Sequence, residues 1–423
     1  MRKKISFVLF IMLLFSILAG CLNGEHNKIR IGVADVEDVN LCEEYLKQHF
    51  PNQNFEVVEL NTGEKDCFET VRNNIEKHIT SGYLDMVVGI PEGYITSQDQ
   101  IIFENLYDGI EITNLLPAVI NHCQSRETKT MPFLTHTFYC TRFLTVNRSF
   151  LKSLGIDYKD DFATIDEVVD FSYLVDEKIK GKSLEQCYSI SMGSPNDEFL
   201  YDDLANILLP LGFARTEMGL QQRYFDDIYI ENFKKLYRCA IENSYSRNDI
   251  GYTYPIDYYF VTGNVAMKIS STFELSAFKN QDKDSPFITE ITNFDYVIIP
   301  VSNILNTQST VSAISAKSKK KEMCISVLEF LISEDYAIDI IQNESPFLID
   351  TCSLPCIITE KTEQLIYDKY NIKSLKGYTD YTTFDFAMNS SVHWNIIEEE
   401  RRCFSKFYSK NADILIEALQ KIK

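Results

Sequence analysis

The stretch MPFLTHTFYCTRFLTVNRSFLKSLGID, from Met131 to Asp157, decides the fold of this chain. Its first half is apolar, β-branched and aromatic, a composition that predicts a buried β-strand. Asn147 then leads into a short amphipathic helix that ends at Gly155. We interpret this strand as the connection between two halves of the molecule, with a small-molecule cleft beside it.

Length and charge restrict the class of protein. A chain of 423 residues is long enough for two domains or one two-lobed unit. Hydrophobic residues make up 45% and charged residues 24%, which predicts a globular chain and not a disordered one. The formal net charge of −20 argues against nucleic acid and anionic lipid surfaces as partners.

The N-terminus carries a processing signal. Arg2, Lys3 and Lys4 precede an apolar run from Ile5 to Ile17 that is too short to span a bilayer. The next four residues, Leu18-Ala19-Gly20-Cys21, resemble a bacterial lipobox. The resemblance implies a signal peptide over 1–20, a lipidated Cys21 and a tether over 21–27. The protein would then lie outside the cytoplasmic membrane, held to it only by the lipid anchor.

Strand and helix patterns alternate after the tether. Strands are predicted at Ile29–Val33, Phe55–Leu60 and Leu84–Gly89, and the helices between them span about 40–49, capped by Asn40, and 66–81. This alternation predicts a doubly wound parallel sheet. Ligands of such sheets bind outside the carboxyl ends of the strands, so the loops after these three strands are predicted to form one cleft wall.

Ten cysteines remain after Cys21, and they are scattered along the chain. We expect most of them to behave as small buried apolar residues, although an exported protein can form disulfides. The spacing of Cys352 and Cys356 is not that of a zinc site, and the six histidines show no metal-ligand spacing. We therefore predict neither a metal site nor a cofactor.

The chain resembles the extracellular solute-binding lipoproteins of ABC importers, which have the type II periplasmic-binding-protein fold. The matching pieces follow the family's order: the lipobox, SGYLDMVVG at 81–89, the stretch 132–157, GNVAMKISST at 263–272, residues 296–300, and AISAKSKKKEMCISVLEFLISEDY at 313–336. The resemblance implies an α/β fold of two lobes, each a mainly parallel sheet flanked by helices. Lobe one would comprise 28–141 with 312–350, and lobe two 142–311 with 351–423.

The same resemblance implies a function and a set of ligand-binding residues. The protein would capture a small solute, by default a carbohydrate, and deliver it as a monomer to ABC permease subunits. Acidic groups accept hydroxyls and aromatic faces stack on rings, although each acid could equally be a solvated loop charge. The candidates are Asp35, Glu92, Tyr94, Tyr139, Asp197, Thr272, Phe273 and Trp394. Because Phe138 and Tyr139 are adjacent in a strand, only one of them can face the cleft.

Two alternatives remain open. The pair Cys140-Thr141 lies at the distance before Asn147 where the thiamine pyridinylase family, enzymes on the same fold, carries its nucleophilic cysteine. That resemblance implies Cys140 as the nucleophile and Glu274 as the general base, whereas Cys140 could equally be a buried structural residue. The third reading is a ligand sensor that docks to a receptor kinase instead of a permease.

Thiamine discriminates between the enzyme and the binding protein. If the protein only binds a solute, incubation with thiamine and aniline should leave all the thiamine intact, as measured by chromatography. Thiamine loss that Cys140→Ser abolishes without unfolding the protein would establish the enzyme reading instead.

Overall fold

A computed structural model describes residues 28–34, 36, 38–61, 67–95, 101–124, 128–158, 162, 165–184, 187–191, 213–215, 221–223, 230–231, 234–235, 237–238, 244–245, 260, 263–272, 295–299, 304–348, 352–372, 374–383, 412–419 and 421. The strands are β1 Lys28–Val33, β2 Asn54–Glu59, β3 Met86–Pro91, β4 Leu134–Asn147, β5 Tyr188–Ser191, β6 Phe213–Arg215, β7 Gln221–Arg223, β8 Ser244–Tyr245, β9 Val265–Ser271, β10 Tyr296–Ile299, β11 Ile304–Ile314, β12 Leu354–Pro355 and β13 Asp380–Thr383.

Nine α-helices lie in the described part of the chain. They are α1 Val39–His49, α2 Cys67–Thr80, α3 Pro117–Cys123, α4 Arg148–Leu154, α5 Ile165–Gly181, α6 Lys321–Leu331, α7 Glu334–Gln342, α8 Glu360–Tyr370 and α9 Ala412–Leu419. A 3-10 turn, Glu92–Tyr94, directly follows β3. None of the described helices is both long and apolar enough to cross a membrane.

One mixed sheet runs through the part of the chain that the structure describes, in the order β2-β1-β3-β11-β4-β9-β5-β8. Strand β1 pairs in parallel with β2 and β3, as the strand-helix alternation predicted. Strand β11 is antiparallel to both β3 and β4, and β4 is antiparallel to β9. Helix connections explain the parallel pairs, since parallel strands need a crossover.

Two apolar clusters cover the β1–β3–β11 part of the sheet. The larger one joins strand residues such as Ile31 and Met86 to Leu46 of α1, Leu328 of α6 and Ile340 of α7. The smaller one buries α2 against the strands, and its members include Val71, Ile75, Ile79, Val87 and Val311. Apolar burial on both faces is what the near-continuous apolar sequence of these strands requires.

The stretch from Met131 to Asp157 folds as its sequence predicts. Strand β4 ends at Asn147, whose side chain accepts a hydrogen bond of 3.0 Å from the Phe150 amide and so caps α4. The Asn147 Nδ2 group also donates to the Phe260 carbonyl at 3.1 Å. Gly155 ends the helix with φ of +74°, a left-handed conformation that costs glycine little.

The first helix differs from its prediction at the cap. The Asp38 carboxylate accepts a hydrogen bond of 2.8 Å from the Asn40 amide, so Asp38 is the cap and Asn40 lies inside α1. Both residue types are good caps, and the sequence offers them two positions apart. The sequence alone did not distinguish the two.

His136 of β4 is a buried neutral imidazole. Its Nε2 lies 3.3 Å from Thr310 Oγ1, and its Nδ1 lies 3.3 Å from Ser312 Oγ, both on the neighbouring strand β11. Burial lowers the pKa of His136 to about 3, because the charged form loses its hydration, although a backbone hydrogen bond at Leu134 opposes this. His136 therefore joins β4 to β11 without carrying a charge.

The Asn147 cap predicts a measurable loss of stability. Asn147→Ala should lower the free energy of unfolding by about 2 kcal/mol, because it removes both the cap and the bond to the buried Phe260 carbonyl. Urea unfolding followed by circular dichroism measures this loss. Asn147→Ser, which keeps a capping oxygen but not the second bond, should lose about half as much, and an alanine variant as stable as the parent would contradict the assignment.

His136 predicts a pH dependence of stability. Its pKa in the folded chain is about 3 against 6.5 in the unfolded chain, so only the unfolded chain takes up a proton as the pH falls below 6.5. Stability is therefore lost with falling pH, by about 2 kcal/mol between pH 7.5 and pH 5. Urea unfolding at the two pH values should show a smaller loss for His136→Gln, which cannot titrate; equal losses would refute the role.

Candidate functional site

Strand β4 changes partners in its middle. Residues Leu134 to Arg142 pair with β11, and residues Arg142 to Val146 pair with β9. The backbone of Arg142 is the point of change, since it is paired with both Asn306 and Ser271. Strand β4 therefore crosses from one group of strands to another.

Strand β11 makes a similar change. Its first part, Ile304 to Thr307, is paired with β13, and its last part, Thr310 to Ile314, is paired with β3. The register with β4 shifts between Asn306 and Gln308, which marks an irregularity of the bulge type. Two crossing strands thus lie side by side, and the segments around Arg142 and Thr307 meet there.

Hydroxyl groups connect the two strands at this crossing. Thr141 Oγ1 lies 2.8 Å from Thr307 Oγ1, and both side chains are fully buried. The Thr307 hydroxyl also lies 3.2 Å from the carbonyl oxygen of Tyr139. The Thr141–Thr307 contact is a side-chain bond between strands that are 166 residues apart in the sequence, and sequence reasoning did not find it.

Glu92 lies at the carboxyl end of β3, where the fold predicts a cleft wall. One carboxylate oxygen contacts His122 Nε2 of α3, and the other accepts a hydrogen bond of 2.5 Å from Ser309 Oγ of β11. The side chain of His122 is 1% exposed and that of Glu92 13%, so the contacts lie largely out of water. Glu92 therefore links the loop after β3, helix α3 and a crossing strand.

The second part of β4 and strand β9 carry buried polar side chains on one face. Thr145 is paired with Lys268, and Phe143 with Ser270, so these four side chains share a face of the sheet. Thr272 follows at the end of β9. Thr145, Ser270 and Thr272 are fully buried, Lys268 is 5% exposed, and the three hydroxyls have no hydrogen-bond partner in the described structure.

The structure places four of the predicted ligand-binding side chains. Tyr94 packs in the smaller apolar cluster with Leu60 and Ile90, and Tyr139 is buried. Phe138 belongs to the larger cluster, so the neighbouring Tyr139 points to the opposite face of the sheet. Glu92 and Thr272 lie at the ends of β3 and β9. Two of the four side chains, those of Glu92 and Thr272, therefore lie just past strand ends, whereas the aromatic ring of Tyr94 is enclosed.

Other predicted residues lie outside the described part of the chain. The backbone of Cys140 belongs to β4, two residues before the change of partners. The residues that are not described are Cys21, Asp35, Asp197, Phe273, Glu274 and Trp394.

Sequence reasoning missed His122 and Ser309. No local signal distinguished them, because β11 carries several other polar residues and His122 lies beside Asn121 in α3. Their contact with Glu92 depends on β3 and β11 being neighbours, although 217 residues separate Glu92 from Ser309.

The described cysteines behave as buried apolar side chains, as predicted. Cys42, Cys123, Cys324, Cys352 and Cys356 are buried thiols, and Cys187 is half-buried. Burial raises the pKa of Cys42, Cys123 and Cys324 to about 12, because the thiolate would lose its hydration. These thiols are therefore protonated at neutral pH. Among the described residues, no group of three or more His, Cys, Asp or Glu side chains could hold a metal ion.

The sequence comparisons found no similar protein, whereas the comparison with solved structures found matches. No protein-family model and no curated protein matches the sequence. Solved structures do match over nearly the whole chain. A sugar transporter from Rhizobium etli is 12% identical, with a TM-score of 0.61, and the match covers 94% of this chain and 100% of that one.

Two further structures agree with the first. The sugar-binding protein MalE from Xanthomonas citri is 14% identical, with a TM-score of 0.60 and coverage of 93% and 96% of the two chains. The cyclic α-maltosyl-1,6-maltose binding protein from Arthrobacter globiformis is 11% identical, with a TM-score of 0.56 and coverage of 93% and 97%. The chain therefore has the two-lobed type II solute-binding fold that its sequence motifs predicted.

Proposed function

We propose that this protein captures a small carbohydrate-like solute in a cleft between two lobes and delivers it to an ABC permease. The observation that carries the proposal is the pair of crossing strands, β4 and β11, in a chain with the type II solute-binding fold. Strands that pass between lobes allow a hinge motion that closes the lobes on a solute. A binding function needs no catalytic group.

The crossing supports one boundary of the proposed lobes. Lobe one would comprise 28–141 with 312–350, and lobe two 142–311 with 351–423. The change of partners at Arg142 supports the first boundary, because the residues before it pair with β11 and those after it with β9. The Thr141–Thr307 bond would then lie at the hinge, where it holds the two crossing strands together.

A neutral, hydroxyl-rich solute agrees with the charge and with the similar structures. The net charge of −20 disfavours polyanionic solutes such as nucleotides at long range. The proteins with the same fold include a sugar transporter, a sugar-binding protein and a binder of a cyclic maltose-type oligosaccharide. We therefore retain a carbohydrate as the class of solute.

Among the candidate contacts, Thr272 and Tyr139 are the described side chains that we keep as direct ligand contacts. Thr272 directly follows the last residue of β9, and Tyr139 precedes the crossing. We assign Glu92 a different task, because its two oxygens already bind Ser309 and His122. Its carboxylate would fix the cleft wall. Asp35, Asp197, Phe273 and Trp394 remain proposed contacts, whereas the ring of Tyr94 is committed to the smaller apolar cluster.

The location and partners of the protein complete the proposal. The lipobox-like sequence Leu18-Ala19-Gly20-Cys21 supports a protein that is tethered through lipid on Cys21 and works outside the cytoplasmic membrane. We propose that it works as a monomer. Permease subunits would receive the loaded protein. A ligand sensor would need the same cleft and the same anchor. It would differ only in its docking partner, which would be a receptor kinase instead of a permease.

The enzyme alternative depends on one observation. Cys140 lies in the crossing strand, two residues before the point where β4 changes partners. A nucleophile at that position would be next to the proposed cleft. We rank this alternative second, because the proposed base Glu274 has no described position relative to Cys140.

Ligand-induced stabilisation tests the function. The panel would contain maltose, a cyclic maltose-type tetrasaccharide, glucose, thiamine and, as a hydroxyl-rich control, sorbitol. A sugar present at 100 times its Kd should stabilise the protein by about 2.7 kcal/mol and raise the thermal midpoint, because it binds only the folded state.

The same panel also distinguishes a carbohydrate-binding protein from a thiamine-cleaving enzyme. Stabilisation by one sugar but not by sorbitol supports solute binding, and calorimetric titration then gives its affinity. Stabilisation by thiamine alone, or by no sugar at millimolar concentration, would contradict the carbohydrate assignment.

A further inference from the structure

The last turn of α3 contacts the ends of two strands that pair with different parts of β11. The imidazole of His122 contacts the carboxylate of Glu92, directly after β3, and that carboxylate also binds Ser309. The neighbouring residue, Asn121, donates a hydrogen bond of 2.8 Å from Nδ2 to the carbonyl oxygen of Thr379, directly before β13. Two adjacent side chains of one short helix therefore hold two separate strands.

The two strands that α3 holds are attached to the first and the last part of β11. Strand β13 pairs with residues 304–307, and β3 pairs with residues 310–314. The register between β11 and β4 shifts between Asn306 and Gln308. Irregularities of this type bend or twist a strand locally. Helix α3 therefore connects segments on either side of the region where β11 changes partners.

The contacts of α3 differ in their exposure to water. The side chain of His122 is 1% exposed and that of Glu92 13%, so their contact lies largely out of water. At the other end of the helix, the amide of Leu116 donates to the Cys356 carbonyl at 2.9 Å. Asn121 is exposed, so water competes for its hydrogen bond. Of these contacts, the bond of Asn121 is the one that a movement of the strands would break first.

We infer that the last turn of α3 is a brace across the strand crossing, which couples the end of β3 to the start of β13. His122 is a positioning residue for Glu92, and Asn121 is the releasable end of the brace. One exposed hydrogen bond shifts the ratio of two strand arrangements by about twofold to fivefold. An effect of the brace on solute capture rests on the proposed function, whereas the coupling itself does not.

Hydrogen exchange of the free protein, followed by mass spectrometry, tests the coupling. The variants are Asn121→Ala, His122→Leu and the two combined. Asn74→Ala is a matched control, because its side-chain amide also donates to a backbone carbonyl, that of Leu60, at 2.9 Å. His122→Gln keeps a nitrogen that can donate to Glu92, so it should behave like the parent protein.

The brace predicts a specific pattern of exchange rates. Asn121→Ala should speed exchange over residues 379–383 about twofold to fivefold, and Asn74→Ala should not. His122→Leu should speed exchange over residues 86–95 and also over 379–383, although the contact that it removes is with Glu92. In the double variant, His122→Leu should add nothing further over 379–383, because the connection from α3 to β13 is already broken.

Two other patterns would overturn the brace. His122→Leu could speed exchange over residues 86–95 alone, or its effect over 379–383 could be the same with and without Asn121; either result would make the two contacts independent. Residues 39–59 report a general loss of stability. If His122→Leu speeds exchange there as well, Glu92→Gln, which keeps the shape of the side chain but removes its charge, replaces it with the same outcomes.

Sugar affinity separates the brace from the proposed function. The titrated sugar is maltose, or the sugar of the same panel that binds more tightly. A bond that holds one arrangement of the crossing strands biases lobe closure, so Asn121→Ala should change the Kd about twofold to fivefold, and Asn74→Ala should leave it unchanged.

The affinities and the exchange rates can fail independently. An unchanged Kd in Asn121→Ala would refute a role of the brace in solute capture. If no sugar of the panel binds the parent protein, the carbohydrate function fails, and the exchange rates of the free protein still decide whether α3 couples β3 to β13.

Discussion

The antiparallel pairing of β4 with β11 is the constraint on which the rest of the structure depends. It joins residues 134–142 to residues 306–312, so it closes a loop of more than 160 residues, at a cost in chain entropy that grows only slowly with loop length. Through this pair, β3 and its parallel neighbours are connected to β9, β5 and β8. Without it, the described strands of this sheet would form two unconnected groups.

Uncharged polar side chains reinforce this pairing. His136 is held neutral by burial and lies between two hydroxyls of β11, while Thr141 bonds directly to Thr307. Such groups add little net stability when they are paired, but each is costly to leave unpaired. They therefore penalise any other register of the two strands, which makes the pairing specific.

In the proposed binding protein, Glu92 would act on the cleft without touching a solute. Its carboxylate is committed to His122 and Ser309, which belong to a helix and to a crossing strand. A loop tied at this point to β11 has fewer conformations available in the free protein. In the proposed binding protein, this would reduce the ordering cost of capturing a solute.

Much of the fold was determined by local sequence. The apolar stretch before Asn147, the capping asparagine itself and Gly155 predicted β4 and α4, because strands, caps and left-handed glycines depend on neighbouring residues. The tertiary structure alone decided which polar groups meet. Glu92 and Ser309, or Thr141 and Thr307, are far apart in sequence, and only the order of strands in the sheet brings them within hydrogen-bonding distance.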